Sequence, residues 1–233
     1  MIKKGDFIEL EYTAKILDED IIFDTTSPDD AEKSGMICDH DHEHDHGHKH
    51  VTREDFKPIK ICVGEKQILP GLDEQLENLN IGEHDIILEE EKAFGKKDPK
   101  LLKLMPLTAF KKQKINPFVG LTLDMDGSRG IVRSVSGGRV IVDFNHPLSG
   151  KTVKYEISIK RKIEDKKEQI ESLLNLARLP YEKIEIEGDE AKIEIPLEIP
   201  ENLLDEMKKD MERMSGSKIT FKTKKKEKDE EQK

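Results

Sequence analysis

Apolar side chains in the first two-thirds of this chain fall in short alternating runs, and that rhythm restricts it to strands joined by turns. In Ile8-Glu9-Leu10-Glu11-Tyr12-Thr13 apolar and polar residues take turns, the period of a strand with one face buried and one in water. The pattern returns in Ile21-Ile22-Phe23-Asp24, after a turn at Asp18-Glu19-Asp20, and again in residues 58–66 and 84–91. Before residue 163 one helical spacing is readable: Leu72, Leu76 and Leu79 sit at i, i+4 and i+7, one face of a short helix. Asp73 and Glu74 fall in its first turn, where the helix dipole favours acid. Asn80-Ile81-Gly82 closes it, and Ala93-Phe94-Gly95 ends the strand that follows.

Residues 96–144 have another character. Their first half mixes Leu, Lys and Pro without a clear period. Their second half reads as strands at 121–125, 131–135 and 139–144, separated by glycine-rich turns of the kind hairpins require. After a loop at 145–150, Val153, Tyr155, Ile157 and Ile159 alternate in one more strand. From 163 the order becomes α-β-β-α-β. It runs through Ile163, Ile170, Leu173 and Leu174, then Ile184 and Ile186, Ile193 and Ile195, a helix at 202–214 and a strand at 217–222. That order suits a separate small α+β domain. Residues 224–233 are nearly all charged, the composition of a disordered tail. The expectation is a multidomain α+β protein: a main domain from 1–95 and 145–162, an inserted β domain at 96–144, a C-terminal domain at 163–223, and the tail.

Composition narrows the function. Charged residues are 39% of the 233, apolar residues 34%, and Trp is absent. That stock is too thin for one large core and sufficient for two or three small ones. No run approaches the roughly 18 apolar residues of a membrane helix, so no membrane partner is expected. A net charge of −10 argues against general charge attraction to nucleic acid. The opening Met1-Ile2-Lys3-Lys4-Gly5-Asp6 leads straight into strand sequence without an apolar signal core. Two cysteines, Cys38 and Cys62, are too few for a disulfide framework. A cytoplasmic protein with free thiols is expected.

Residues 25–58 break the rhythm and read as one long loop, and loops beyond about 12–15 residues are usually functional or disordered. Within it His40, His42, His44, His46, His48 and His50 occupy every second position, with Asp39, Asp41, Glu43 and Asp45 between them. Imidazole is the commonest ligand for zinc, copper and nickel. An extended chain would present the six rings on one side while the acids concentrate cations. No tetrahedral spacing is visible, so several interchangeable sites for nickel, zinc or copper are expected rather than one rigid site. A plain solvated polar loop is the alternative.

No Ser-His-Asp set, phosphate loop or zinc-protease motif stands out, and His84 and His146 are isolated. Tyr12, Phe23, Asp24, the run from Ile68 to Leu72, Phe94 and Tyr155 come from different elements. Each alone reads as a core residue.

Their order says more. The series GDFIELEYTAKI…IIFD…IKICVGEKQILPGLDEQLENLNIGEHDIIL…AFG…VDFNHPLSGKTVKYEISI resembles the FKBP-type peptidyl-prolyl cis-trans isomerases. VDFNHPLSGK and the long segment between Phe94 and Asn145 look like the SlyD-like subgroup, in its long archaeal form. The resemblance covers residues 1–160 with gaps. It implies a strongly bent antiparallel sheet wrapped on one short helix, and an apolar pocket that holds a proline ring and needs no cofactor. By motif position Tyr12, Phe23 and Asp24 line the pocket, and Ile59 falls where the family often has an aromatic. Ile68 and Leu69 form a wall. Leu72 takes the floor position, often Trp in the family; Phe94 stands where Tyr is usual, and Tyr155 matches a Phe.

The 96–144 segment resembles the subgroup's insert-in-flap domain, implied to bind unfolded, proline-containing chain. Leu101, Leu102, Leu104, Met105, Leu107, Phe110, Phe118 and Val119 are its candidates for an apolar groove, or for the insert's own core. In the better-known pattern the histidine tract is a C-terminal tail; here it lies between Asp24 and Pro58. The segment after 163 has no counterpart in the minimal domain, and a homodimer contact is expected there. The expected activity is prolyl isomerisation with a chaperone role. A metal-delivery protein, or a holdase with little catalysis, is the rival.

Overall fold

The computed structural model describes residues 1–37, 51–125, 127–197 and 199–223. Cys38, the six alternating histidines from His40 to His50, and the charged 224–233 tail lie outside the described residues. Along the chain the strands are β1 (Phe7–Ile16), β2 (Ile21–Thr25), β3 (Ile59–Cys62), β4 (Gly82–Leu88), β5 (Leu102–Pro106), β6 (Thr122–Met125), β7 (Ser128–Ser136), β8 (Arg139–Asp143), β9 (Val153–Lys162), β10 (Lys183–Glu187), β11 (Glu190–Ile195) and β12 (Lys218–Thr223). The α-helices are α1 (Pro28–Lys33), α2 (Pro70–Leu76), α3 (Leu107–Lys112), α4 (Lys166–Leu176) and α5 (Glu201–Ser215). They group into two compact units, one of Met1–Lys15, Asp20–Ile86 and Lys154–Lys233, the other of Ile16–Glu19 and Ile87–Val153.

The first unit holds a five-stranded sheet of order β2-β1-β9-β4, with β3 paired antiparallel to the first half of β1. The alternation in β1 buries Ile8 and Leu10 completely. Phe7, on the opposite parity, is buried too, because it and its register partner Cys62 belong to a core completed by Ile163, Ile170, Leu173, Leu174, Ile193, Ile195 and Met211. The elements after residue 163 therefore cover one end of this sheet. They follow the expected α-β-β-α-β order: β10 and β11 are antiparallel, and α5 carries the chain over to β12, parallel to β11. Asp165 caps α4 by accepting from the Glu168 amide at 2.8 Å, and Gly216 ends α5 at φ +66°, the left-handed turn that favours glycine.

An ion network accompanies that core. Glu168 on α4 pairs with Arg161 on β9 and with Lys60 on β3 at 2.7 Å, and Arg161 also reaches Glu9 on β1 at 2.7 Å. Hydrogen bonds from Arg161 and Lys60 hold the Glu168 carboxyl well down, to about 2. A carboxylate lowered on folding stabilises the fold above its usual pKa, and that stabilisation fades as pH falls toward the lowered value. Acid unfolding of the wild type is thus expected to include a loss between about pH 4.5 and 2. Glu168→Gln should be less stable near neutrality and show a shallower decline over that window, as read by thermal unfolding at a series of pH values.

Two stretches differ from their sequence reading. Residues 25–37 are not loop throughout. Ser27 caps α1, Pro28 starts it, and Asp29 and Asp30 sit in its first turn, a start signal that the polar composition masked. Asp30 also accepts from the Thr13 hydroxyl at 2.7 Å, which ties α1 to β1. The stretch without a period after residue 96 holds β5 and α3.

The second unit is built on a four-stranded antiparallel sheet of order β5-β8-β7-β6. Phe110, Leu123, Val132, Val140 and Val142 form its core. Gly130 is required there, since a Cβ would meet Phe144 and Val142 side-chain carbons at 2.7 Å. Among the described residues no helix is long and apolar enough to cross a membrane.

Candidate active site

Three adjacent strands of the first unit, β2, β1 and β9, bring four of the expected residues together. Tyr12 lies on β1. Its amide donates to the Thr26 hydroxyl at 2.8 Å, and its carbonyl accepts from the Thr26 amide at 2.9 Å. That clasp fixes the end of β2, where Asp24 is exposed. The Tyr12 hydroxyl donates to Asp24 Oδ2 at 2.8 Å. Tyr155, on β9, is 4% exposed. Its ring lies 5.7 Å from that of Tyr12 at 53°, and 6.2 Å from that of Phe23 at 88°, the tilted and edge-on arrangements aromatic rings prefer.

Burial, and then the Asp24 charge and hydrogen bond, push the Tyr12 hydroxyl above the ordinary tyrosine range. Burial, and then the Asp24 charge, push Tyr155 to about 12. Both phenols are therefore protonated at neutral pH. Such a set can bind and orient an apolar group beside one carboxylate. It does not supply a nucleophile or a phenolate base.

Leu72 on α2 is buried, and Ile68 and Leu69 are half-buried at the helix start. Asp73 sits in the first turn of α2 as the sequence predicts, and it is also buried, accepting from the Gly64 amide at 2.9 Å and the Lys66 amide at 2.8 Å, so it pins the turn before α2. Ile59 stands at the start of β3 and lines a cleft of about 480 Å³ with Pro58, Lys60, Ser172, Asn175 and Leu176. That neighbourhood comes from α4, which the minimal family pattern does not contain.

Phe94 lies in the second unit. The NHPLSG motif surrounds its segment. The Asn145 carboxamide accepts from the Asp98 amide at 2.8 Å and donates to the Asp98 carbonyl at 3.1 Å and to Asp143 Oδ1 at 2.8 Å. Burial opposes ionisation of Asp143, yet hydrogen bonds from Asn145 and Arg133 outweigh it and hold the carboxyl below its usual range. The Ser149 hydroxyl donates to the Phe94 carbonyl at 3.2 Å, and the Gly150 amide to the Gly95 carbonyl at 2.8 Å. His146, isolated in the sequence, stacks on Phe94 with ring centroids 5.0 Å apart and planes 5° from parallel. The signal that could have found it was the Asn145-His146-Pro147-Leu148-Ser149-Gly150 motif itself.

The candidate client residues separate into two groups. Phe110 is core, with Met105 and Leu107 packed against that core. Leu101, Leu102, Leu104, Phe118 and Val119 are exposed, Leu104 to 61% and Val119 to 66%. Ile141, missed in the sequence, faces Leu104 across the β5–β8 ladder and is also exposed. Among the described residues no cluster of three or more His, Cys, Asp or Glu is placed to hold a metal ion.

The family profile described as "FKBP26, IF domain" matches residues 103–148. A short-type peptidyl-prolyl cis-trans isomerase of Methanocaldococcus jannaschii is 26% identical over 161 residues, 69% of this chain and 93% of the relative. The FKBP-type peptidyl-prolyl cis-trans isomerase SlyD of Helicobacter pylori is 29% identical over 107 residues, 44% of this chain and 58% of the relative. The FKBP-type 16 kDa peptidyl-prolyl cis-trans isomerase of Escherichia coli K12 is 34% identical over 114 residues, 46% of this chain and 76% of the relative. At that identity and coverage, the chain belongs to the FKBP-type peptidyl-prolyl cis-trans isomerase family.

Proposed function

We infer that this chain is a peptidyl-prolyl cis-trans isomerase that turns Xaa-Pro bonds against the Tyr12, Phe23 and Tyr155 rings and receives unfolded chain on its insert. The observation that carries the reading is the aromatic corner with its Tyr12–Asp24 hydrogen bond. Isomerisation crosses a barrier of about 18–20 kcal/mol because twisting destroys amide resonance, and unaided it takes tens to hundreds of seconds. The twisted amide is less charge-separated than the planar one. An apolar corner therefore disfavours the planar ground state more than the transition state. The reaction needs no covalent step and no cofactor.

In this reading the proline ring lies on Tyr155, with Ile68, Leu69 and Leu72 completing the apolar lining. Asp24, already bonded to Tyr12, orients the peptide by its charge. The exposed Leu104–Ile141 pair with Leu102, Phe118 and Val119 supports client capture, as exposed apolar surface marks interaction sites. Tethering a client raises its concentration at the catalytic corner.

The test pairs two substrates: cis-to-trans relaxation of a short Xaa-Pro peptide, and refolding of an unfolded protein limited by prolyl isomerisation. Both rates should rise in proportion to the concentration of full-length protein. The double variant Leu104→Glu, Ile141→Glu should lose at least about five-fold more acceleration on the protein than on the peptide. A well-folded sample that leaves peptide relaxation unchanged would overturn the isomerase reading. Equal losses on both substrates would overturn the role of the insert.

A further inference from the structure

We propose that the open edge of β3 is a second docking site for polypeptide: an extended, acidic segment of a client adds there as a strand, in the cleft between β3 and α4. The site lies wholly in the first unit. Its occupation depends neither on catalysis at the aromatic corner nor on the insert.

The edge follows from the register. Among the described residues β3 pairs with β1 alone. In an antiparallel pair, residues that exchange backbone bonds alternate with residues whose backbone groups point away. The Val63 amide donates to the Asp6 carbonyl at 3.0 Å. The same parity, Ile61 with Ile8 and Ile59 with Leu10, therefore bonds to β1. Lys60 and Cys62 turn their backbone groups outward. The Cys62 amide donates to the Gln67 carboxamide oxygen at 2.7 Å, and the Gln67 amide nitrogen donates to Met214 Sδ at 3.4 Å. That side chain closes one end of the edge. At Lys60, α4 leaves a cleft of about 480 Å³, lined by Lys57, Pro58 and Lys60 on one side and by Asn175 and Leu176 on the other. None of its described lining residues is on β1, so it opens on the side of β3 away from β1. Clefts that hold ligands run to about 300–1,000 Å³, and an unpaired N–H and C=O at a sheet edge are a template for another strand.

Charge selects what that strand carries. The Lys60 ammonium already pairs with Glu168 at 2.7 Å. Asp55, also at the cleft, accepts from the Thr52 amide at 2.8 Å and the Thr52 hydroxyl at 3.1 Å. Lys57 is exposed and has no ion pair among the described residues, so an acidic side chain of the docked segment completes it. Leu176, 39% exposed, offers apolar contact to alternate side chains of the same segment. A second copy of this chain is the poorer occupant. Pairing two β3 edges through their open residue would set Lys60 opposite Lys60, and like charges directly opposite are destabilising.

The test uses the full chain and a short capped peptide of alternating Val and Thr with Glu at both ends, free of proline. On adding peptide, the Lys60 amide should gain at least about ten-fold protection from hydrogen exchange. Methylating alternate backbone nitrogens of the peptide should weaken binding at least about ten-fold on one parity and leave it within about two-fold on the other, because one edge of an added strand faces β3. Lys60→Pro, which removes the outward N–H, should weaken binding about ten-fold, while Lys60→Ala, which keeps it, should stay within about two-fold. Lys57→Glu should weaken binding about three-fold and reverse the preference over a peptide ending in Lys. Equal effects of methylation on both parities, an unprotected Lys60 amide, or folded Lys60→Pro binding as well as wild type would overturn the proposal. An unchanged preference in Lys57→Glu would overturn the acidic client. A dimer in light scattering that Lys60→Pro makes monomeric would give the edge to a second copy and overturn it too. The methylated peptides need only the wild-type protein, so they decide the matter even where Lys60→Pro does not fold. Peptide relaxation is read separately, and its failure would remove the isomerase reading while leaving this site standing.

Discussion

A chain ended at Lys162 is expected to unfold at least about 10 °C below the full-length protein and to bind hydrophobic dyes when folded. The truncation removes Ile163, α4, the β10–β12 sheet and α5, which complete the core around Phe7 and Cys62. Exposing a buried aromatic or aliphatic side chain costs about 1.5–3 kcal/mol, and each kcal/mol shifts the unfolding temperature of a chain this size by roughly 2–4 °C. Phe7 and Cys62 together with the other exposed core contacts add to several kcal/mol. In the intact chain, Ile170→Ala should by itself cost about 2–5 kcal/mol. Thermal unfolding by circular dichroism reads both effects. An unchanged midpoint for the truncated chain would mean that the C-terminal elements are passengers.

If the aromatic corner is the site proposed above, Tyr155→Ala is expected to lower kcat/KM on a short Xaa-Pro peptide about 100-fold, roughly 2.7 kcal/mol of transition-state stabilisation. The loss has two sources: the surface under the proline ring disappears, and Tyr12 and Phe23 lose the ring they lean on. Tyr155→Phe should stay within about three-fold of wild type, because the hydroxyl is protonated and takes no part in the chemistry. Asp24→Ala, at an exposed position, should cost about ten-fold without abolishing activity. Since Tyr155 is buried, the rates are compared only where circular dichroism shows the variant folded. Complete loss in a folded Asp24→Ala protein would assign the carboxylate a far larger role than orientation. A severe defect in Tyr155→Phe would point to chemistry by the hydroxyl.

Alternation of apolar with polar or charged residues made β1, β4 and β9 legible, and the Leu72–Leu76 spacing made α2 legible. The α-β-β-α-β order after residue 163 was equally plain. Its attachment to the sheet was not: nothing in the β1 pattern says that Phe7, on the nominally wet parity, has a cover 156 residues further on. β5 was missed because its leucines face outward, which inverts the usual relation between apolar side chains and core. Tyr12, Phe23, Asp24 and Tyr155, which the structure brings together, were singled out through the order of motifs. Periodicity alone would have left each as packing. The partnership of Phe94 with His146 joins two segments far apart in the chain, and no local pattern records it.

The Asn145 carboxamide, bonded to both backbone groups of Asp98, has a consequence for how such a chain can change over time. It clasps the two ends of the intervening segment side by side, whatever lies between them. Once the ends of a loop are fixed, doubling its length costs only about 0.6 kcal/mol of closure entropy. A clasp of this kind works as a socket. Segments of quite different size and stickiness can be fitted to it, trimmed or replaced, while the strands that carry Tyr12, Asp24 and Tyr155 keep their own register.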